Sequence, residues 1–221
     1  MKILTRTFAA LAVAVLSITA HAADGPVLKP PPGARAAIVV FEDLECPDCS
    51  RAYPVIWNAA NEHHVPVVLH DFPLTNMHPW AFDAAVYARY FDTKSEKLGN
   101  DFRGYIYSNQ SLINKGNLQQ YVSKFANDNK VPLPFVIDPD GKLKDKVNAD
   151  VSLGNQLKVQ HTPTIFVVGN GANGPPAEVT DRSQLGQIVE DTLAKSPPVK
   201  ANTPAKSGAA KVKKKKSSTP K

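Results

Sequence analysis

The sequence predicts an α/β fold in which a mixed β-sheet is flanked by helices and carries a helical insertion between its second strand and a later strand. Three observations lead to this prediction. Residues 36–41 form a continuous apolar, β-prone run, which is typical of a strand covered on both faces. A second strand-like run at 65–72 precedes a long helical block at about 78–132. A third run at 164–168 follows that block, so the two types of element alternate along the chain.

The helices are predicted from apolar residues that recur at helical spacing. One helix follows the first strand, two stripes fall in the helical block, and one helix lies on each side of the third strand. The residues of these stripes are, in chain order, Tyr53, Ile56, Trp57, Ala60; Ala81, Ala84, Ala85, Ala88; Leu118, Tyr121, Val122, Phe125; Leu143, Val147, Val151; and Leu185, Ile188, Val189, Leu193.

Shorter signals complete the assignment of elements. Residues 135–137 are predicted to be a connection, because prolines flank this short run. The turn-rich segment 169–176 could join antiparallel strands, the second of them at 177–179. Asp181 or Ser183 is expected to cap the last helix.

The N-terminal 22 residues have the layout of a secretory signal peptide. Lys2 and Arg6 precede an apolar run at 8–20, and small residues stand one and three positions before a cut after Ala22. The apolar run is shorter than the roughly 20 residues of a membrane-spanning helix. A proline-containing lead at 23–35 follows, and the fold is expected to occupy 36–195.

Residues 196–221 are predicted to form a disordered tail rich in lysine, proline, alanine and serine. The net charge of +6 arises at the two ends: residues 195–221 contain nine lysines and no acid. The part between the ends has 15 basic and 20 acidic residues, which argues against nucleic-acid binding by the folded part. The tail is either a solubilising terminus or a tether to anionic surfaces.

The two cysteines form the motif Cys46-Pro47-Asp48-Cys49 where the first strand gives way to the first helix. Unpaired backbone N–H groups and the helix dipole at a helix N-terminus favour a thiolate over a thiol. Such sites lower a thiol pKa from about 8.5 to between about 3.5 and 7.5. Cys49, one turn further on, is spaced to close a disulfide with Cys46. The motif therefore predicts a redox-active pair.

Two other interpretations of the pair are open. A structural disulfide across two intervening residues would stabilise the fold little, because the loop that it closes is so short. A metal site would need further ligands, and no histidine has a short zinc-type spacing to the pair. A Cu(I)-handling module that uses Cys46, Cys49 and His161 or His78 is the alternative function, since soft thiolates suit Cu(I).

The sequence resembles the thioredoxin superfamily, and within it the exported DsbA-type thiol-disulfide oxidoreductases with a helical insertion. The resemblance covers about 36–194 and is carried by the cysteine motif after an apolar strand, by Pro54, and by Thr162-Pro163-Thr164 before a strand. The sequences of 42–46 and of 71–74, the latter followed by His78, look like one branch of this family.

The resemblance implies an exported enzyme that exchanges disulfides with cysteine-containing proteins in the periplasm. It implies Cys46 and Cys49 as the reactive thiols, no organic cofactor or metal, and a membrane redox partner that recycles the pair. Pro163 would be the cis-proline of the superfamily, and the backbone of Thr162 would pair with a substrate strand. Pro47 and Asp48 would tune the pair.

Two positions depart from the family pattern. Many relatives have a buried acid six residues before the first cysteine, where this chain has Val40. Strand alternation would send Glu42 and Asp43 to opposite faces, so the sequence assigns the proton-transfer role to neither. A carboxylate at Asp48 is expected to raise the pKa of Cys46 and so to make the protein a weaker oxidant than the most oxidising relatives.

Overall fold

A computed structural model describes residues 27–171 and 176–199 of the chain. The predicted signal peptide at 1–22 and nearly all of the predicted tail lie outside the described residues. The described part is built around three strands: β1 (Ala36–Glu42), β2 (Val67–Asp71) and β3 (Thr164–Gly169).

The sheet is mixed, as the sequence predicts. Its strand order is β2-β1-β3. β1 runs parallel to β2, with Ile38 opposite Val67, and antiparallel to β3, with Phe41 opposite Thr164. Among the described residues, the predicted strand at 177–179 is reduced to an isolated bridge between Phe166 and Glu178.

β1 is the central strand, and all seven of its residues are buried. Its alternate side chains enter two different apolar clusters. Ile38 and Val40 pack in the cluster that contains Ile56 and Val189, whereas Val39 and Phe41 pack in the other. A strand covered on both faces explains why its sequence is apolar without interruption.

Three helices pack against the sheet: α1 (Pro47–His63) comes after β1, α5 (Lys142–Gln156) before β3, and α6 (Leu185–Lys195) after β3. α1 begins directly after the loop that leaves β1, with Pro47 in its first turn and Pro54 inside it. A 3₁₀ turn at Arg182–Gln184 precedes α6, and the Asp181 side chain accepts a hydrogen bond from Ser183 N at 3.0 Å.

The predicted helical insertion consists of α2 (Ala81–Asp92), α3 (Glu96–Asn109), a 3₁₀ turn at Gln110–Leu112 and α4 (Leu118–Asp128). A third apolar cluster contains three alanines of the α2 stripe, Ala84, Ala85 and Ala88, together with Leu118, Val122 and Phe125 of α4. Cys46 and Cys49 belong to the same cluster. The insertion therefore forms one wall of the region around the cysteine pair.

Hydrogen bonds connect the N-terminal and C-terminal ends of the predicted domain. Arg35, in the predicted lead, donates hydrogen bonds to the carbonyl oxygens of Leu193 at 2.6 Å and Ser196 at 2.8 Å. Ser196, the first residue of the predicted tail, is buried. Arg35 thus supplies donors to carbonyl groups at and just after the C-terminal end of α6, where the donors of the helix itself run out.

Candidate active site

The cysteine pair lies at the N-terminal end of α1. Cys46 is the N-cap residue, and Cys49 lies one turn inside the helix. Both residues are buried, with 7% of Cys46 and 2% of Cys49 exposed, and the structure presents them as free thiols. The continuous apolar strand brings the chain to this point, and Pro47 starts the helix without leaving an N–H group unpaired.

Cys46 has a strongly depressed pKa. The hydrogen bond from the Cys49 thiol is the main cause, and the backbone N–H groups of Asp48 and Cys49 act in the same direction. Burial opposes them, but the pKa of Cys46 falls to about 5. At neutral pH Cys46 is therefore a thiolate, the form that attacks disulfides.

Thr162 and Pro163 face the cysteine pair across the site. The peptide bond between them is cis, the isomer that the resemblance implies. In its protonated form, the Cys46 thiol donates a hydrogen bond to the carbonyl oxygen of Thr162 at 3.2 Å. Residues 116 positions apart in the sequence therefore meet in one site.

Cys49 has the opposite character. Burial raises its pKa well above the ordinary thiol value, and the hydrogen bond to Cys46 adds to the effect. The backbone N–H of Asp43 donates to the Cys49 sulfur at 3.4 Å. The pair is thus asymmetric, with an ionised, less buried Cys46 and a protonated Cys49 behind it.

Glu42 is a buried acid beside Cys49 that the sequence analysis does not assign. It is the last residue of β1 and has the same strand parity as Val40, so both face α1. Glu42 and Cys49 line a cavity of about 10 Å³ together with Tyr107 and Pro163. The parity shared with Val40 is the sequence signal that could have identified Glu42.

Two side chains of α3 hold Glu42. Arg103 Nε donates to its Oε1 and the Tyr107 hydroxyl donates to its Oε2, both at 2.9 Å. Burial nevertheless dominates, and it raises the pKa of Glu42 to about 7. A carboxyl group with such a pKa can gain and lose a proton at neutral pH.

The Asp43 carboxylate has a structural role. Its Oδ1 accepts a hydrogen bond from Glu45 N, and its Oδ2 accepts one from Leu74 N, each at 2.7 Å. Oδ2 also lies 2.7 Å from Nδ1 of His78. Asp43 therefore ties the loop before Cys46 to the segment after β2, and its carboxylate is occupied there.

Asp48 is shared between two arginine side chains. Arg182 and Arg51 donate to its Oδ1 at 2.9 and 3.1 Å. Partial burial would raise the pKa of the Asp48 carboxyl, but Arg182 and then Arg51 outweigh it and lower that pKa. The sequence predicts that Asp48 raises the pKa of Cys46; in the structure that pKa is nonetheless low, and two cations offset the Asp48 charge.

The histidines proposed as copper ligands have other partners. His78 contacts Asp43, and Nε2 of His161 lies 3.1 Å from Glu178. In the part of the chain that the structure describes, no three His, Cys, Asp or Glu side chains are grouped to hold a metal ion. The alternative Cu(I) function would therefore rest on the two thiols without a third ligand from this set.

A dithiol at the start of the helix after the central strand, opposite a cis-proline, is the site arrangement of the thioredoxin fold. A family model described as Thioredoxin matches residues 31–189. The chain belongs to that family.

Solved structures show the same fold. Alpha-DsbA1 from Wolbachia pipientis is 17% identical, with a TM-score of 0.62 over 76% of this chain and 90% of that one. The catalytic domain of ScsC from Proteus mirabilis is 19% identical, with a TM-score of 0.57 over 76% of this chain and 88% of that one. At these identities the likeness concerns the fold.

A sequence relative of another kind also matches. The Na(+)/H(+) antiporter NhaA 3 of Salinispora tropica is 26% identical over 153 residues, which is 69% of this chain but 23% of the antiporter. The chain thus spans about a quarter of the curated relatives that it matches. Within residues 27–171 and 176–199, no helix combines the length and the apolar character needed to span a bilayer.

Proposed function

We propose that this protein exchanges disulfides with cysteine-containing proteins outside the cytoplasm, through Cys46 and Cys49. The observation that carries the proposal is the depressed pKa of Cys46, about 5, in a residue that faces Thr162 and Pro163 with Cys49 behind it. A structural disulfide or a buried apolar pair would not require an ionised first thiol.

In the oxidising direction, a substrate thiolate attacks the Cys46 sulfur of the Cys46–Cys49 disulfide. A mixed disulfide forms between the substrate and Cys46, and Cys49 leaves as a thiolate that takes up a proton. The second thiolate of the substrate then attacks the substrate sulfur of the mixed disulfide. The substrate leaves with a disulfide, and Cys46 is released as a stable thiolate.

In the reducing direction, the Cys46 thiolate attacks a substrate disulfide, and Cys49 must then lose its proton to displace the substrate. Glu42 is the group that we assign to this proton. It lines the same cavity as Cys49, and the cavity has room for about one water molecule to relay the proton. Its pKa of about 7 suits transfer in either direction at neutral pH.

The compartment and the partners belong to the proposal as well. The signal-peptide pattern at 1–22 supports export, and the periplasm is the oxidising compartment in which such a dithiol is used. An oxidase there needs an electron-accepting membrane partner that reoxidises Cys46 and Cys49. A reductase needs an electron donor instead, so the partner decides the direction.

The direct test is turnover in two assays with the full mature chain. We expect the protein to oxidise reduced ribonuclease in glutathione buffer, to reduce insulin with dithiothreitol, or to do both, and we expect the Cys46→Ala variant to do neither. The Cys49→Ala variant should instead accumulate mixed disulfides at Cys46, which mass spectrometry of exported proteins from cells would identify. Absence of turnover and of adducts would refute the proposal.

A Cu(I) titration of the same samples separates the alternative. Cu(I) binding with a sub-micromolar dissociation constant, without turnover in either assay, would favour the copper-handling function. We expect turnover, and any copper binding that competes with it should be abolished by oxidation of the pair.

A further inference from the structure

Arg182 connects the segment after β3 to the motif between the two cysteines. Its Nη2 donates to Asp48 Oδ1 at 2.9 Å, and its Nη1 donates to the Asp48 backbone oxygen at 3.3 Å. The guanidinium therefore contacts both the side chain and the main chain of one residue. The 3₁₀ turn that begins at Arg182 is itself fixed by the Asp181 carboxylate, which accepts from Ser183 N.

The pair lies on the wall of a groove beside the candidate active site. This groove has a volume of about 190 Å³ and is lined by Asp48, Pro163 and Arg182, together with His161 and Glu178. The side chains of Arg182 and Asp48 are 33% and 38% exposed. Water thus screens their interaction only in part, and their charges act on the same space that a substrate would enter.

The charge of Asp48 opposes the ionisation of Cys46. Asp48 is two residues from Cys46, and a carboxylate close to a thiol disfavours the thiolate. A second cation, Arg51, also reaches Asp48 Oδ1, but its side chain is 68% exposed and lies on the same helix. Exposed ion pairs between residues one helical turn apart have small interaction energies. Arg182 is therefore the better-placed neutralising group.

We propose that Arg182 is a positioning residue that sets the redox equilibrium of the cysteine pair by neutralising Asp48 and so stabilising the Cys46 thiolate. This inference rests on the proposed function of the pair. Arg182 touches neither sulfur and acts through Asp48.

The equilibrium with glutathione measures the effect. In this reaction the dithiol and one oxidised glutathione give the Cys46–Cys49 disulfide and two reduced glutathiones. A stable Cys46 thiolate favours the dithiol, so it lowers the equilibrium constant for disulfide formation. Loss of the Arg182 charge should raise that constant.

The experiment compares four variants with the wild type: Arg182→Gln, Arg182→Lys, Arg51→Gln and the double variant Asp48→Asn/Arg182→Gln. For each variant, the glutathione equilibrium constant and the pKa of Cys46 from thiolate absorbance are measured at low and high salt. Arg51→Gln is the matched control, because it removes the same charge from the same carboxylate oxygen at an exposed position.

We expect Arg182→Gln to raise the equilibrium constant about three- to fivefold and to raise the pKa of Cys46, with a smaller effect at high salt. Arg51→Gln should stay within about twofold of the wild type. The double variant removes both charges of the pair, so its equilibrium constant should return to about the wild-type value. Arg182→Lys keeps the positive charge and should stay close to the wild type.

If Arg182 had only a structural role, the equilibrium constants of the variants would follow a different pattern. The inference is wrong if Arg182→Gln changes the constant no more than Arg51→Gln does, or if the double variant behaves like Arg182→Gln alone. Failure of the proposed function is distinguishable from either result. It would appear as a wild type without turnover on ribonuclease or insulin, whereas the pKa of Cys46 can be compared across the variants in any case.

Discussion

Glu42 and Cys49 line the same cavity of about 10 Å³ behind the N-terminal turn of α1. The acid is at the end of the central strand, and the thiol is on the helix that the strand leads into. Burial raises the pKa of both groups, so each prefers its neutral form. Of the two, Glu42 is the one whose pKa, about 7, allows it to ionise at neutral pH.

Replacement of Glu42 by glutamine should slow the release of a mixed disulfide by Cys49. In the wild type, this rate should rise through about pH 7 as Glu42 becomes able to accept the Cys49 proton. The variant should lose that inflection and be roughly 100-fold slower at pH 7.5. Stopped-flow release of a fluorescent peptide from its disulfide with Cys46 would measure the pH profile.

Glu45→Gln is the matched control for this profile. Burial raises the pKa of Glu45 as well, but its Oε2 accepts a hydrogen bond from Trp80 N at 2.7 Å, away from the cavity that Cys49 lines. We expect its rate to follow the wild-type curve. Identical pH profiles for the wild type and Glu42→Gln would mean that another group accepts the Cys49 proton.

The free energy of unfolding of the reduced protein should increase with pH more than that of the disulfide form does. The pKa of Cys46 is about 5 in the folded dithiol, whereas a thiol in an unfolded chain has a pKa of about 8.5. Because the pKa of Cys46 is lower in the folded state, its ionisation stabilises the fold fully at a pH above the unfolded-state pKa. This stabilisation is lost as the pH falls through 5. The disulfide form has no such group.

Urea unfolding of both forms at pH 5, 7 and 8.5 would measure this effect. The difference in unfolding free energy, reduced minus oxidised, should grow by up to about 4 kcal/mol between pH 5 and 8.5. Reduced Cys46→Ser should not show the increase. A difference that does not vary with pH would show that Cys46 is not ionised preferentially in the fold.

Arg103 should be critical for stability, because it is buried among acids. It contacts Glu42 through Nε and Asp92 through Nη1, both at 2.9 Å, and 1% of its side chain is exposed. Arg103→Met removes the buried cation between these carboxylates, leaves Asp92 only its longer contact with Arg89 at 3.4 Å, and should lower the free energy of unfolding by about 3–5 kcal/mol. It should also raise the pKa of Glu42 further, since Arg103 lowers that pKa.

A surface ion pair provides the comparison. Lys97 contacts Asp101 at 2.6 Å, but 82% of the lysine side chain is exposed. Lys97→Met should change the unfolding free energy by less than about 1 kcal/mol. Similar losses for Lys97→Met and Arg103→Met would contradict the structural role that we assign to the buried arginine.

Gly154 should tolerate no side chain, because α5 packs closely on the sheet there. A Cβ atom at this position would lie 2.5 Å from Cε2 of Phe72 and 3.2 Å from Cδ1 of Phe41. Gly154→Ala should therefore destabilise the fold by about 1–3 kcal/mol, although alanine favours helix. Gly186→Ala, whose Cβ would meet only the tip of His63 at 3.3 Å, should be neutral or stabilising in thermal unfolding.

The sequence was sufficient to predict the parts of the site that depend on local spacing. Cys46 and Cys49 lie on a strand-to-helix junction that periodicity alone indicates, and the continuous apolar run predicted that β1 is covered on both faces. Thr162-Pro163 was found through the family resemblance, because its 116-residue separation from Cys46 carries no local signal.

The groups that tune the pair were not found in this way. Glu42 was passed over because its role depends on which helix covers its face of β1. Arg103 and Arg182 come from segments far along the chain, and which carboxylate each one meets is decided by tertiary packing. Charged residues in helices are ordinarily solvent-exposed, so the burial of Arg103 could not be expected from its place in the sequence.

The ionisation of Cys46 is the property on which the other conclusions depend, and alkylation measures it directly. The rate of iodoacetamide reaction with Cys46 in the reduced protein should follow a single titration with a midpoint near pH 5 and level off above about pH 6.5. Cys49→Ala should raise that midpoint, because the hydrogen bond from the Cys49 thiol is lost. A wild-type midpoint near 8.5, the value of an ordinary thiol, would contradict the account.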